Sequence, residues 1–180
     1  RSANRGQCAQ SCRLPYRLRV DGQDFPITDK PYLFSPQDLC TLDWVPRLME
    51  IQVDSLKIEG RLKSPEYIGA VTRAYRAALD QKPAANESRV QLESLFSRGL
   101  FSGWLNGVDH QRLVSGTYSA HQGILLGTIH DIQSSTIIVR WTADQVFPLY
   151  PGDGLVCVPS TPGRPESGGR LYAYQRQGKF

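Results

Sequence analysis

Apolar and polar positions change rhythm twice along this chain. Tyr67, Ile68, Val71, Ala74, Tyr75, Ala78 and Leu79 recur at the spacing of one helical face. Ser64-Pro65-Glu66 just before them is a helix-start signature, a capping hydroxyl with proline in the first turn, and Lys82-Pro83 closes the run. A helix is therefore predicted between these signals. Upstream, Val53-Asp54-Ser55-Leu56-Lys57-Ile58-Glu59 alternates, with Val53, Ser55, Lys57 and Glu59 on one face and Asp54, Leu56 and Ile58 on the other. This predicts a short strand that Gly60 ends. Ser35-Pro36-Gln37-Asp38 repeats the start signature, and a helix from about Thr41 to Glu50 is expected after it.

Helix, strand, helix is the order of an α/β unit, whose strands are normally parallel and whose functional groups gather at the strand C-termini. Lys57, Glu59 and Arg61 lie at that end. Pro83-Ala84-Ala85-Asn86 then breaks the pattern, and a short helix around Ser88 to Ser97 leads into the Gly-rich, aromatic stretch Arg98-Gly99-Leu100-Phe101-Ser102-Gly103-Trp104, which matches no single template.

The last third changes character. Gly123 to His130, Thr136 to Trp141, Gly154 to Val158 and Arg170 to Tyr174 are short β-like runs, separated by turn residues such as Ser134-Ser135 and Pro151-Gly152-Asp153-Gly154. Short strands at that spacing point to a small barrel. The expected fold class is thus α/β followed by all-β. Residues 1–83 form an α/β part, 84–118 a helical and Gly/aromatic linker, and 119–180 a small β-barrel.

With 180 residues and 40% hydrophobic content, the chain is long enough for one core or two small ones. The formal net charge of +4 suits a polyanionic partner and equally an ordinary soluble protein. No apolar run approaches the roughly 20 residues needed to cross a bilayer, and no apolar stretch follows the N-terminal arginines. A cytoplasmic protein without membrane partners is expected. Residue 1 is Arg and the chain opens directly into a cysteine motif, so an upstream segment is expected as well.

Cys8, Cys12, Cys40 and Cys157 are too sparse for a disulfide scaffold. Cys157, inside the apolar run Leu155-Val156-Cys157-Val158, reads as a core residue of a strand. Cys8 and Cys12 are flanked by Arg5 and Arg13, which favour the thiolate form. Spacing alone leaves metal ligands and incidental thiols both open, because the pair lacks the CxxC spacing of zinc ribbons and only Cys40 is near enough in sequence to be a clear third ligand.

Three segments are recognisable together: Ser2-Ala3-Asn4-Arg5-Gly6-Gln7-Cys8-Ala9-Gln10-Ser11-Cys12-Arg13, then Ser35-Pro36-Gln37-Asp38-Leu39-Cys40, then Val53-Asp54-Ser55-Leu56-Lys57-Ile58-Glu59-Gly60-Arg61-Leu62-Lys63-Ser64-Pro65-Glu66-Tyr67. They closely resemble the collagenase-like peptidase family, also called peptidase family U-32, over about the first 80 residues. More loosely, Arg98 to Leu105 and Gly152-Asp153-Gly154 are similar to the C-terminal extension of the long members, which ends in a translation-factor-like β-barrel.

The resemblance implies that the α/β part closes a parallel (β/α) barrel whose first strands lie upstream. It further implies an iron-sulfur-dependent RNA base hydroxylase, acting on ribosomal or transfer RNA. Relatives with that chemistry hold a four-iron four-sulfur cluster through four cysteines, two of which map onto Cys8 and Cys40. Cys12 matches a family cysteine without being expected as a ligand. The cluster is expected in the full-length protein and not in this stretch alone, which should be catalytically silent.

The family name also promises a peptidase acting on a protein substrate. Amide hydrolysis needs a nucleophile with a base, or a metal with an activated water. His110, His121 and His130 form no HExxH or other recognised metal pair and read as surface or strand-edge residues, and no G-x-S-x-G elbow is present. Lys57, Glu59 and Arg61 are the candidate catalytic residues. Lys57 and Glu59 share a face where they would also ion-pair as structure, and Arg61 is suited to a carboxylate or phosphate. Trp104, Tyr118, Arg140, Trp141 and Arg170 would suit single-stranded RNA stacked beside phosphate-binding cations, which leaves a non-catalytic RNA-binding module as a further alternative, and the two tryptophans would equally suit a core.

Overall fold

The computed structural model describes residues 3–27, 29–61, 63–82, 86–142, 148–160 and 166–176, and divides into two compact units, Arg1–Gly123 and Ile124–Phe180. Leu62 and the Pro83-Ala84-Ala85 break lie outside the described residues.

The first unit begins with single 3-10 turns at Ala3–Arg5 and Ser11–Arg13, then a small antiparallel hairpin, β1 (Leu18–Val20) with β2 (Gln23–Phe25). β3 (Asp38–Leu39) follows, then a 3-10 turn at Leu42–Trp44 that runs into α1 (Val45–Glu50), α2 (Pro65–Leu79), α3 (Asn86–Leu95), β4 (Leu100–Phe101) and α4 (His110–Leu113). β3 and β4 pair in parallel, Asp38 opposite Leu100 and Leu39 opposite Phe101, so the intervening helices form one long crossover.

The predicted helix after Ser64 is present as α2. Ser64 caps it by accepting the Tyr67 amide at 3.2 Å, and Pro65 occupies the first turn, where its missing N–H costs nothing. Ala70, Val71 and Ala74 turn its apolar stripe inward against Leu42 and Leu92, while Ile58 and Cys40 pack at the margin. The buried Val71, Leu42 and Leu92 side chains contribute about 1.5–3 kcal/mol each.

Two expectations are corrected, and one unassigned stretch is resolved. Ser35-Pro36 caps no helix, because the Ser35 hydroxyl, 2% exposed, accepts from Arg13 and Pro36 bridges to Val114, yet the helix expected from about Thr41 to Glu50 is present as the Leu42–Trp44 turn and α1. Val53 to Glu59 joins no ladder, since the only strand neighbours among the described residues pair elsewhere. Its alternation nevertheless survives in burial, with Leu56 and Ile58 half-buried and Ser55, Lys57 and Glu59 exposed. The Arg98–Trp104 stretch contains β4, a strand of only two residues. Gly99 there has φ 97° and a Cβ would fall 2.5 Å from Gln37 Oε1, so only glycine allows β4 to lie beside β3.

The second unit is two antiparallel pairs: β5 (Gly127–Gln133) with β6 (Thr136–Trp141), and β7 (Gly154–Cys157) with β8 (Ser167–Arg170). The predicted turns are present at Ser134-Ser135 and at Pro151-Gly152, where Gly152 has φ 102° and Asp153 accepts the Tyr150 amide at 2.8 Å. The last strand lies earlier than the expected Arg170 to Tyr174 run. Among the described residues these pairs do not close into a barrel. The molecule is mixed α/β with small sheets. No helix among the described residues is long and apolar enough to cross a membrane.

Candidate active site

The Cys8 loop is fastened at both ends. On one side, Arg61 Nη2 donates to the Gly6 carbonyl at 2.9 Å, two residues before Cys8. On the other, Arg13 Nη1 donates to Ser35 Oγ at 2.6 Å and to the Pro36 carbonyl at 2.8 Å, at the entrance to β3. Between them Gln10, with φ 53°, turns its amide onto Cys8 Sγ at 3.3 Å. Cys8 and Cys12 are exposed.

Cys40 stands on firmer ground. Its amide donates to the Phe101 carbonyl at 2.9 Å, continuing the β3–β4 pairing, and the next amide, of Thr41, donates to the Tyr75 hydroxyl at 2.9 Å. Its half-buried thiol packs at the edge of the core. Burial pushes the phenols of Tyr67 and Tyr75 up, and the Cys40 thiol adds to this in both.

Of the three predicted catalytic residues, Arg61 meets the Cys8 loop, and Glu59 holds the turn before it. Glu59 Oε1 accepts the Arg61 amide at 3.0 Å, setting the turn at Gly60, and Arg61 then reaches Gly6. Gly60 makes this turn possible because a Cβ would fall 2.3 Å from Ile68 Cδ1 of α2. Lys57 stands exposed, and among the described residues no ion pair joins it to Glu59.

Sequence reasoning missed a second set of charges beside Cys40. Asp38 receives Arg98 Nη2 on one oxygen and the Arg98 amide, at 2.9 Å, on the other. Lys63 Nζ lies 2.7 Å from the centre of the Phe96 ring, and the Arg98 guanidinium carbon 4.9 Å from it. Burial first, and then the positive charge of Arg98, lowers the pKa of both Arg13 and Lys63. The available signal was strand periodicity: Asp38 and Cys40 flank an exposed Leu39 and so share one face.

Among the described residues His121 and His110 are engaged elsewhere than with a nucleophile. His121 Nδ1 accepts the Ser97 amide at 2.9 Å and its ring stacks on Phe96 at 5.6 Å, which makes it part of the first unit's scaffold. His110 meets Trp104 edge-on, and His130 is exposed at an irregularity in the β5–β6 register. Among the described residues no histidine is hydrogen-bonded to a cysteine sulfur or a serine hydroxyl. The five residues expected to receive RNA also divide: Trp104, 53% exposed, and Tyr118 belong to the first unit, Arg140, Trp141 and Arg170 to the second.

Two thiols have the donor chemistry of an iron-sulfur site and half the usual number. Among the described residues no group of three or more His, Cys, Asp or Glu side chains is placed to hold a metal. Cys8 and Cys40 therefore fit a cluster only as part of a shell that other residues complete.

The family model for peptidase family U32 matches residues 1–115. The chain belongs to peptidase family U32. It is 35% identical over 129 residues to a collagenase of Porphyromonas gingivalis, covering 68% of this chain and 35% of that protein. It is 41% identical over 95 residues to tRNA hydroxylation protein P1 of Bacillus subtilis, covering 50% of this chain and 22% of that protein. It is 42% identical over 80 residues to the 23S rRNA 5-hydroxycytidine C2501 synthase of Escherichia coli, covering 44% of this chain and 12% of that protein. The chain thus spans about a third or less of the length of these U32 relatives. No solved structure matches.

Proposed function

We propose that this U32 chain is the cysteine-bearing part of an iron-sulfur-dependent RNA base hydroxylase, acting in the cytoplasm on ribosomal or transfer RNA. The observation that carries this reading is the fastening of the loop around the exposed Cys8, by Arg61 at Gly6 and by Arg13 at Pro36, just before the strand that leads into Cys40. Relatives whose names specify RNA hydroxylation support it.

In the whole protein β3 and the Lys57–Arg61 segment are strands of a parallel (β/α) barrel, paired with upstream strands. The second unit's hairpins belong to a translation-factor-like β-barrel. Cys8 and Cys40 would supply two thiolates to a four-iron four-sulfur cluster, which when bound would supply one-electron redox chemistry. Glu59 sets the turn that aims Arg61, Arg61 positions the Cys8 loop, and Lys57 is free to meet substrate. Cys12 needs no ligand role.

A protease is the second reading, favoured by the collagenase relative, whose match covers 68% of the chain. The test incubates full-length protein, purified without oxygen, with ribosomal and transfer RNA and with gelatin. Hydroxylated nucleosides by mass spectrometry and intact gelatin are expected. Gelatin cleavage without any hydroxylated nucleoside would overturn the hydroxylase.

A further inference from the structure

Around Asp38, two residues before Cys40, stand three cations of which only Arg98 is ion-paired to it. Arg98 is paired with Asp38, and its Nε is buried without a hydrogen-bond partner. Arg13 gives Nη1 to two neutral oxygens. Lys63 lies against the Phe96 ring, and among the described residues neither it nor Arg13 has a carboxylate within ion-pair distance. Arg13, Lys63 and Arg98 against Asp38 leave a formal excess of two positive charges. Burial first, and repulsion by Arg98 second, lowers the pKa of Arg13 and Lys63. Holding like charges in a half-buried place costs stability, and an anion that enters relieves the cost.

We propose that Arg13, Lys63 and Arg98 form an oxyanion site that takes a backbone phosphate of the RNA substrate beside Cys40. This rests on the RNA hydroxylase reading for its ligand. The chemistry favours a phosphate over a base. Phe96 is already covered by Lys63 and by the stacked His121, so little of its ring remains for stacking, whereas two arginines and a lysine offer several N–H donors to the oxygens of one phosphodiester. The strand supplies the register: Asp38, paired with Arg98, opens β3, and Cys40, whose amide extends the pairing to Phe101, follows two positions later, so a phosphate held there lies close to that thiol.

The test measures binding of a single-stranded RNA oligonucleotide to the full-length protein as a function of salt, for wild type, Lys63→Met, Arg13→Gln and Lys63→Arg. Lys63→Met should weaken binding about 5-fold at 0.1 M salt and reduce the slope of log K against log salt by about 0.7. Arg13→Gln should act in the same direction, and Lys63→Arg should restore the wild-type slope. An oligonucleotide with a neutral methylphosphonate backbone should erase the difference between wild type and Lys63→Met.

Identical affinity and slope in wild type and Lys63→Met would overturn the site. So would protection of the Lys63 amine from acetylation by millimolar inorganic phosphate but not by RNA, which would mark a site for free phosphate. Hydroxylated nucleosides are measured on the same samples. Product with a Lys63-independent salt slope sinks the site and spares the hydroxylase, and a Lys63-dependent slope without product does the reverse.

Discussion

The two units of this chain are stabilised by different means. In the first, α2 buries a stripe of small residues against Leu42 and Leu92, and side chains far apart in sequence are locked together, Arg13 to Ser35, Arg61 to Gly6 and Arg98 to Asp38. In the second, the described strands are joined by backbone ladders and turns, while Ile129, Ile132, Ile137, Ile138 and Val139 remain exposed. Long-range side-chain contacts can hold chemical groups in place, and hairpin ladders alone hold only backbone. This is why the candidate chemistry sits in the first unit.

Substitutions should separate the two units sharply. Val71→Asp puts a charge among Leu42, Ala74 and Leu92 and should cost more than about 4 kcal/mol. Amide hydrogen exchange should then show lost protection through α2 and α3 with β5 and β6 unchanged. Equal loss in both units would break the comparison. Asp38→Asn leaves Arg98 without its ion pair and should cost about 2 kcal/mol in urea unfolding. A loss below about 0.5 kcal/mol would make that pair ornamental. Ser64→Ala removes the α2 cap and should cost about 1 kcal/mol. Ile132→Ser, at a position 69% exposed, should fall within about 0.5 kcal/mol of wild type. If Ile132→Ser cost more than Ser64→Ala, that apolar face would have to be covered in the folded protein.

Local signals were legible in the sequence and distant ones were not. α2 was readable because its cap, proline and apolar period all lie within one stretch. The β6 run and the turn before it were readable for the same reason. Ser35-Pro36 carries an equally good helix signature, but Arg13, 22 positions earlier, takes the hydroxyl, and no local pattern announces that. β4 is too short to alternate, and its strand character comes from β3, about 60 positions away. The family resemblance singled out the cysteines and Arg61 as candidates, and it gave no sign of their neighbours in space. Lys63 falls inside the most recognisable segment, yet only the fold brings it to Phe96, Arg98 and Arg13.

Arg61→Ala sharpens the account of the site itself. Its guanidinium makes one exposed hydrogen bond to the Cys8 loop, so folding should be nearly unchanged while hydroxylated nucleoside is no longer formed. Turnover at the wild-type level would remove Arg61 from the site.

The most direct measurement is the iron and sulfide content of the full-length protein, purified without oxygen, for wild type and for Cys8→Ser, Cys40→Ser and Cys12→Ser. Wild type and Cys12→Ser should carry about four irons per chain, and Cys8→Ser and Cys40→Ser should lose most of them. Full iron content in either of those two variants, or none in wild type, would contradict the shared ligand shell.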